Sequence, residues 1–561
     1  MSEKTSFRRV TMFIAIVLAC LAVVLLVTAG GGSSQGAPTA VKPSPAPGGS
    51  PQVSKPPSWK TIDRLIDEEK MAEAAKGVAE IREAAQRAGK TEEWTRALVK
   101  ETQLGMALHG YETAVRHLKE QPWPPDEWAR ATLNLYFAHA LVTYAQRYGW
   151  EIRQREKVES KTEVDLKAWT MEEIYSAAVR AYLEVWSRRE KLSDVPIGRL
   201  SEYIEQNTYP PEVRGRLRDA VAYLFVELLA DTSYWRPEHE NETYALGLGK
   251  LLQESQAERA DLKLDDPAVH PLLKICAVLD DQEAWTKAAG RPQAQLEARL
   301  ERLMRLRASF TEAEDRVAIR TDLEQRLPGF RQVPWWAEGT AQLAQMVENE
   351  NNPDSLVKAR DLARQGEKAY PASPGGQHCR SIVARLQAPE YSVASMSTDG
   401  AGRRSLMVTH RNLSRLYFRA YRTDIVKFVE QARDWNLVPN GQEIRNLVAA
   451  NEPVARWQNE LPATSDLRSH RTFVTPKLGE HGFYIVVSSA REDFAPTENE
   501  LLAVTFTLTD LVLVRRDDAT GGQEARVIAG ATGEPLAGVQ VHLYQRDWRE
   551  GHHRTKTLVS D

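Results

Sequence analysis

The chain has 561 residues, 42% of them apolar and 27% charged, with 73 Lys and Arg against 77 Asp and Glu for a formal net charge of -4. At ~150 residues per domain that length suggests about three or four domains, with ample apolar material for large cores. So even a charge balance gives no electrostatic reason to expect nucleic acid or an acidic surface as the partner.

Lys4, Arg8 and Arg9 precede an apolar run from Val10 to Ala29 that carries no charge. The run is about long enough to cross a bilayer as a helix, and its basic flank places everything after Ala29 outside the cytoplasm. Residues 1–29 therefore read as an export element, either a retained signal anchor or a cleaved signal peptide. The small residues Val27, Thr28 and Ala29 suit cleavage, while an apolar core beyond the usual ~7 to 15 residues favours the anchor. Lipidation at Cys20 is a third reading, disfavoured because the apolar run continues past it.

Residues 30–58 are dominated by Gly, Ser and Pro, a composition unable to bury a core and expected to form a disordered tether. Extended as polyproline II, it would reach about 90 Å. Beyond Cys20, the cysteines are Cys276 and Cys379. A single bridge between them is conceivable in an oxidising compartment, but Cys276 sits in the apolar run LLKICAVL, and two buried free thiols are the favoured expectation.

From Trp59 to about residue 388 the periodicity is helical. Ile62, Leu65 and Ile66 open one amphipathic stretch; Ile81, Ala84 and Ala85 belong to a second, broken at Gly89-Lys90-Thr91; Trp94, Ala97, Leu98 and Leu104 begin a third. The last hairpin predicts one helix through Leu356, Ala359, Leu362, Ala363, Gly366 and Tyr370, a turn at Pro371 to Gly376, and a second helix through Ile382, Val383 and Leu386. Helices of this length joined by short polar breaks describe an irregular tetratricopeptide-like α-solenoid without a strict period.

Several residues in the chain invite a sharper chemical reading. His378 beside Cys379 would need to face it to activate a nucleophile, which adjacent helical positions do not do. Trp335 and Trp336 suit packing between hairpins better than a sugar-binding face. Gly247-Leu248-Gly249-Lys250 lacks the spacing and preceding strand of a phosphate loop. The charge-dense stretch from Glu297 to Arg316 reads as a solvated helix face, and His552-His553 as a surface loop without zinc-ligand company. No catalytic, cofactor-binding or metal residue is expected, and no enzyme activity.

At Pro389 the period changes to two. Leu406 and Val408 begin a strand, and LYFRAY places Leu416, Phe418 and Ala420 on one face against Tyr417, Arg419 and Tyr421. Two short helices follow, with stripes at Ile425, Phe428, Val429 and Ala432 and at Ile444, Leu447 and Val448. Strands return at Thr472 to Thr475, Phe483 to Ser488 and Leu501 to Leu508. A new unit starts with DLVLVRR and AGATGEPLAGVQVHLY, where Gly533 can supply the positive φ of a tight turn. Val539, Val541 and Leu543 then alternate with Gln540, His542 and Tyr544.

The segments LMVTHRNLSRLYFRAYRTD, LGEHGFYIVVSS, NELLAVTFTLTDLVLVRR and AGATGEPLAGVQVHLY resemble the N-terminal part of bacterial alpha-2-macroglobulin-family proteins. The hairpin ending AYPASPGGQHC is similar to the segment preceding that part in members with a helical extension. Ala531 stands where many relatives carry an acidic residue.

The expected fold class is α + β and multidomain. It comprises an N-terminal membrane helix (1–29), a linker (30–58), an α-helical repeat domain (59–388), an immunoglobulin/fibronectin-like macroglobulin β-sandwich with a helical insert (389–508) and the start of a second, incomplete one (509–561). The resemblance implies the front of a cell-envelope endopeptidase inhibitor, periplasmic or at the cell surface, anchored to the inner membrane or secreted after cleavage. Proteases would be partners through a bait region beyond these residues. The family's Cys-Gly-Glu-Gln thioester sequence does not occur here, and no cofactor is implied. The alternative is a membrane-tethered helical-repeat scaffold whose array binds an envelope protein.

Overall fold

The computed structural model describes residues 56–561 apart from 201–202, 204–207, 254–258, 260–261, 433–436, 518–522 and 548–550. The apolar segment Val10–Ala29, Cys20 and nearly all of the Gly/Ser/Pro tether lie outside the described residues. Among the described residues no helix is long and apolar enough to cross a membrane.

Helices fill the chain up to residue 387. The longer ones are α1 (Trp59–Asp67), α2 (Met71–Arg87), α3 (Thr91–His109), α4 (Tyr111–Glu120), α5 (Glu127–Ile152), α6 (Met171–Trp186) and α7 (Leu217–Ala230). Then come α8 (Pro271–Ala288), α9 (Pro292–Ser309), α10 (Ala313–Arg326), α11 (Trp336–Asn349), α12 (Ser355–Ala369) and α13 (Pro374–Gln387). Their starts follow from local chemistry. Ser58 accepts from the Thr61 N–H, Thr170 and Glu173 form a reciprocal capping box, and Ser373 accepts from the Gly376 N–H ahead of Pro374, each satisfying a backbone donor with no partner inside its own helix. Gly89 adopts φ +65°, the left-handed residue that ends α2 two positions before α3 begins.

Neighbouring helices in sequence pack on one another, α2 on α3, α5 on α6, α8 on α9, and α11 with α12 and α13. Ile62, Ile81, Trp94, Ala97, Leu98 and Leu104 are all buried, as the helical period requires. The final hairpin buries Ala359, Ala363, Gly366, Ile382 and Leu386. Its second helix starts at Pro374, so Gly375 and Gly376 are helical and not part of the turn.

The pattern turns to strand after Gln387. A three-stranded sheet is ordered β1 (Glu390–Ser395), β3 (Leu406–Arg411), β6 (His470–Val474). A five-stranded sheet is ordered β2 (Thr398–Asp399), β8 (Leu501–Leu508), β7 (Gly482–Ser489), β4 (Arg415–Thr423), β5 (Ala455–Glu460). Between the sheets lie Leu406, Val408, Leu416, Phe418, Ala420, Trp457, Val486, Val504 and Phe506, the inward set that period two predicts. Strands β1, β2 and β5 have no sequence expectation. β5 reads ARWQNE, polar at all but two positions, because it is a sheet edge whose Trp457 alone is fully turned inward, stacked 5.1 Å from Phe418.

The insert between β4 and β5 holds α14 (Ile425–Gln431) and α15 (Gly441–Ala450). Ile444 of α15 joins Tyr421, Ile485, Val487 and Phe494 in a second cluster on the outer face of the five-stranded sheet, with Phe428 and Leu447 at its margin. That cover explains why the central strand β7 is buried on both faces.

The following unit consists of two hairpins. β9 (Leu511–Asp517) pairs antiparallel with β10 (Gln523–Ala529), and β11 (Gln540–Asp547) with β12 (Gly551–Val559). Gly533 takes φ +75° in the turn after β10, and Pro535 bridges back to Ile528. The alternation read from Val539 onward runs to a register shift between Leu543 and Tyr544. His552 and His553 pair with Arg546 and Gln545 inside the β11–β12 ladder. They lie in a strand and not in a surface loop.

Candidate functional site

The cysteines, His378 and the tryptophans singled out above are held in cores or in local contacts. Cys276 and Cys379 are free and buried; burial pushes both thiols up, Cys379 to about 12 with help from Glu338, the reverse of what a thiolate nucleophile needs. His378 turns away from its neighbour toward Glu338, 3.2 Å off, and Gln345. Trp335 and Trp336 are core residues, and the Trp335 indole N–H donates to Glu297 at 2.7 Å. Gly247 precedes a short helix, Leu248–Leu252, whose leucines are buried. Among the described residues no group of His, Cys, Asp and Glu is arranged to hold a metal.

The stretch from Glu297 to Arg316 departs from its expected solvated face in its first half, while Glu312, Glu314 and Arg316 are exposed as expected. Glu297, Arg299, Glu301 and Arg302 are buried. Arg302 bonds Asp280 and lies 2.9 Å from Glu283, while Arg259 meets the other Asp280 oxygen at 2.8 Å and Arg299 bonds Asp322. Arg302 also donates to the carbonyls of Leu251 and Gln253, Arg299 to that of Leu252, and Arg259 to those of Lys250 and Gln253. The network pins the end of the Leu248–Leu252 helix to α8 and α9. A neighbouring set joins Arg214, held between the rings of Tyr209 and Tyr223, to Glu297 and Glu301; burial pushes Glu297 up to about 7 against the pull of Arg214. The available signal was in α8. Its apolar run LLKICAVL ends in DDQE, acids on a buried helix that need an arginine-rich neighbour.

Among the described residues two clefts stand out on the helical array. One of about 370 Å³ is lined by Lys119, Trp123, Glu127, Arg130, Glu184 and Arg188, and Glu127 there is already paired with Arg188 and Lys191. The other, about 740 Å³, lies between the end of α5 and the start of α6, lined among others by Arg153, Trp169, Met171, Glu172, Glu173 and Arg180. Glu172 pairs with Arg236 and Glu173 with Lys157.

The array and the first β-sandwich meet at a small, specific joint. Asn412, at φ +53°, donates from Nδ2 to the carbonyls of Leu386 and Ala388 at 2.8 and 3.0 Å, closing the C-terminal end of α13. Arg468 donates to Asn351 Oδ1 and to the carbonyls of Asn351 and Asn352 in the α11–α12 loop. Between them Leu467, 6% exposed, enters the core of the helical array. No other residue beyond 388 belongs to that buried core among the described residues. Leu467 sits at φ +59° and Asn351 at φ +57°. Burying a leucine contributes ~1.5–3 kcal/mol, and the left-handed backbone of an L-residue costs ~1–2 kcal/mol, so the peg stabilises the joint only modestly. Sequence reading missed this loop because nothing in ATSDLRSH marks Leu467 as belonging to the helices and not to the sandwich.

No protein-family model matches the chain, and no curated protein matches it. A solved structure of native alpha-2-macroglobulin from Escherichia coli, spanning domains NIE-MG1, is similar at 15% identity and a TM-score of 0.24, over 31% of this chain and 84% of that one.

Proposed function

We propose that this chain is the front part of a cell-envelope protein related to alpha-2-macroglobulins, supporting a broad endopeptidase trap without itself carrying bait or thioester. The reading is supported by one observation above others: the segments resembling that family fall on β3, β4, β7 and β8 of a two-sheet sandwich, with further strands beginning directly at Leu511. In this reading the helical array and first sandwich are a mechanical support, tethered outside the cytoplasm by residues 1–58, and no reaction is catalysed here. Two measurements test it. Reading the gene past the codon for Asp561 should show further β-sandwich modules, and an immediate stop there would remove the reading's main support. Alkaline phosphatase fused after Ser58 should be active in whole cells; an inactive fusion contradicts export.

A second reading, a tethered scaffold for an envelope protein, is favoured by the larger cleft. Both of its carboxylates, Glu172 and Glu173, are engaged by cations, while Arg153 and Arg180 are exposed on its walls, a polarity suited to an acidic partner segment. Pull-down from envelope extract with the protein and with Arg153→Glu/Arg180→Glu separates the readings. A partner lost in the variant favours the scaffold.

A further inference from the structure

We infer that the loop between β5 and β6 is a single-peg latch: withdrawal of Leu467 frees the first sandwich from the helical array about the Ala388–Pro389 link, with both cores left folded. The cores are separate. The sandwich interior is closed by its own residues from Leu406 to Leu508, and among the described residues beyond 388 the helical interior takes only Leu467. The other contacts described at the joint are polar and half-buried, namely Asn412 on the last turn of α13 and Arg468 on the Asn351–Asn352 loop. Joints this small move by default unless a large apolar surface holds them. This one is held by a leucine whose left-handed backbone offsets part of its burial, and strain of that kind persists where the surroundings over-determine it. The loop is internally braced for the purpose: the Leu467 N–H donates to the Thr464 carbonyl at 2.9 Å, the Asn412 N–H to Thr464 Oγ1 at 2.8 Å, and Asp466 accepts from the Arg468 N–H at 3.1 Å. Thr464 therefore ties the peg to the Asn412 cap, so that the two release together.

Hydrogen–deuterium exchange on the full chain tests this. In the wild type, the amides of Asn412 and Leu467 should exchange faster than those of β7 and α9, which open only with their cores. In Leu467→Ala, exchange at Asn412 and Leu467 should rise at least tenfold with β7 and α9 unchanged, and trypsin should cleave at Arg385 or Arg411 more readily. Arg468→Ala, which opens no cavity in the helical core, should give the same local pattern, and Leu467→Met should retain wild-type protection. Unchanged exchange at Asn412 in both Leu467→Ala and Arg468→Ala overturns the latch. So does acceleration of α9 and β7 together with the joint, which would make Leu467 an ordinary member of one cooperative core.

Discussion

Arg302 has no exposed surface and meets Asp280, Glu283 and two backbone carbonyls. Removing one member of a buried ionic set leaves the others desolvated and uncompensated, so Arg302→Leu is expected to lower stability by about 3–5 kcal/mol, measurable as a fall in the urea midpoint by far-ultraviolet circular dichroism. Arg302→Lys should recover only part of it, because one ammonium cannot reach both carboxylates and both carbonyls. His270 carries a different liability. Its Nδ1 accepts the Leu272 N–H at the start of α8, so Nε2 bears the proton and faces the His239 carbonyl and Thr243. Burial holds the ring below its ordinary value against the pull of the His239 carbonyl, and His239 and Lys274 beside it are likewise depressed by burial, with Glu242 and Asp266 pulling weakly the other way. The histidines of the unfolded chain take up protons below about pH 6.5, the fold resists doing so, and their contribution to stability should therefore be full above that pH and decline as pH falls below it. His378 shifts upward through Glu338 and contributes the opposite slope. The measurement is thus a difference: His270→Asn, which can still cap α8, should lose less melting temperature than wild type between pH 7 and pH 5, and parallel profiles would refute the assignment.

Close helix approach in the last array elements depends on glycine. A Cβ on Gly366 of α12 would lie 2.4 Å from Cys379 Sγ and 3.3 Å from Thr340 Cβ, whereas one on Gly375 of α13 would strike the backbone of Ala337 and Glu338 at 2.2 to 2.7 Å. Gly366→Ala is expected to cost about 1–3 kcal/mol and to be partly rescued by Cys379→Ala in a double-mutant cycle. Gly375→Ala should cost more and resist any side-chain rescue, since backbone cannot yield; both are read from thermal unfolding. These contacts also mark how far sequence reaches. Element type was legible wherever a stripe was apolar and regular, as at Trp94 to Leu104, Leu416 to Ala420 and Leu501 to Leu508. It was not legible at β5, whose polar run shows no apolar alternation, and at α9 the helix was legible but not its burial, because its charges read as solvated although tertiary partners bury them. The α14–α15 stripes were visible, but not that Ile444 would close the outer face of β7, because that partner lies forty residues on and answers to no local period.

At the scale of the whole chain, the cores grow thinner toward the C-terminal end: a large helical interior, a sandwich closed on both faces, then two hairpins joined by single contacts. β11–β12 leans on α14, where His552 meets the Ala432 carbonyl at 2.9 Å and Tyr544 reaches Glu430 at 3.4 Å. Among the described residues β9 pairs only with β10, and Leu511, Val512, Leu513 and Val514 are all exposed along it, Leu513 most of all at 58%. A sheet edge that is apolar on consecutive positions invites pairing with another chain, and a lysine on such an edge is the usual deterrent. These 561 residues by themselves are therefore expected to self-associate reversibly through β9 as their concentration rises. Leu513→Lys should shift sedimentation-equilibrium mass toward the monomer while leaving the melting of the helical array unchanged, since an exposed substitution away from the core moves stability by no more than about 0.5 kcal/mol. A mass distribution identical in wild type and variant would mean that the β9 edge, despite its composition, is not where the molecules meet.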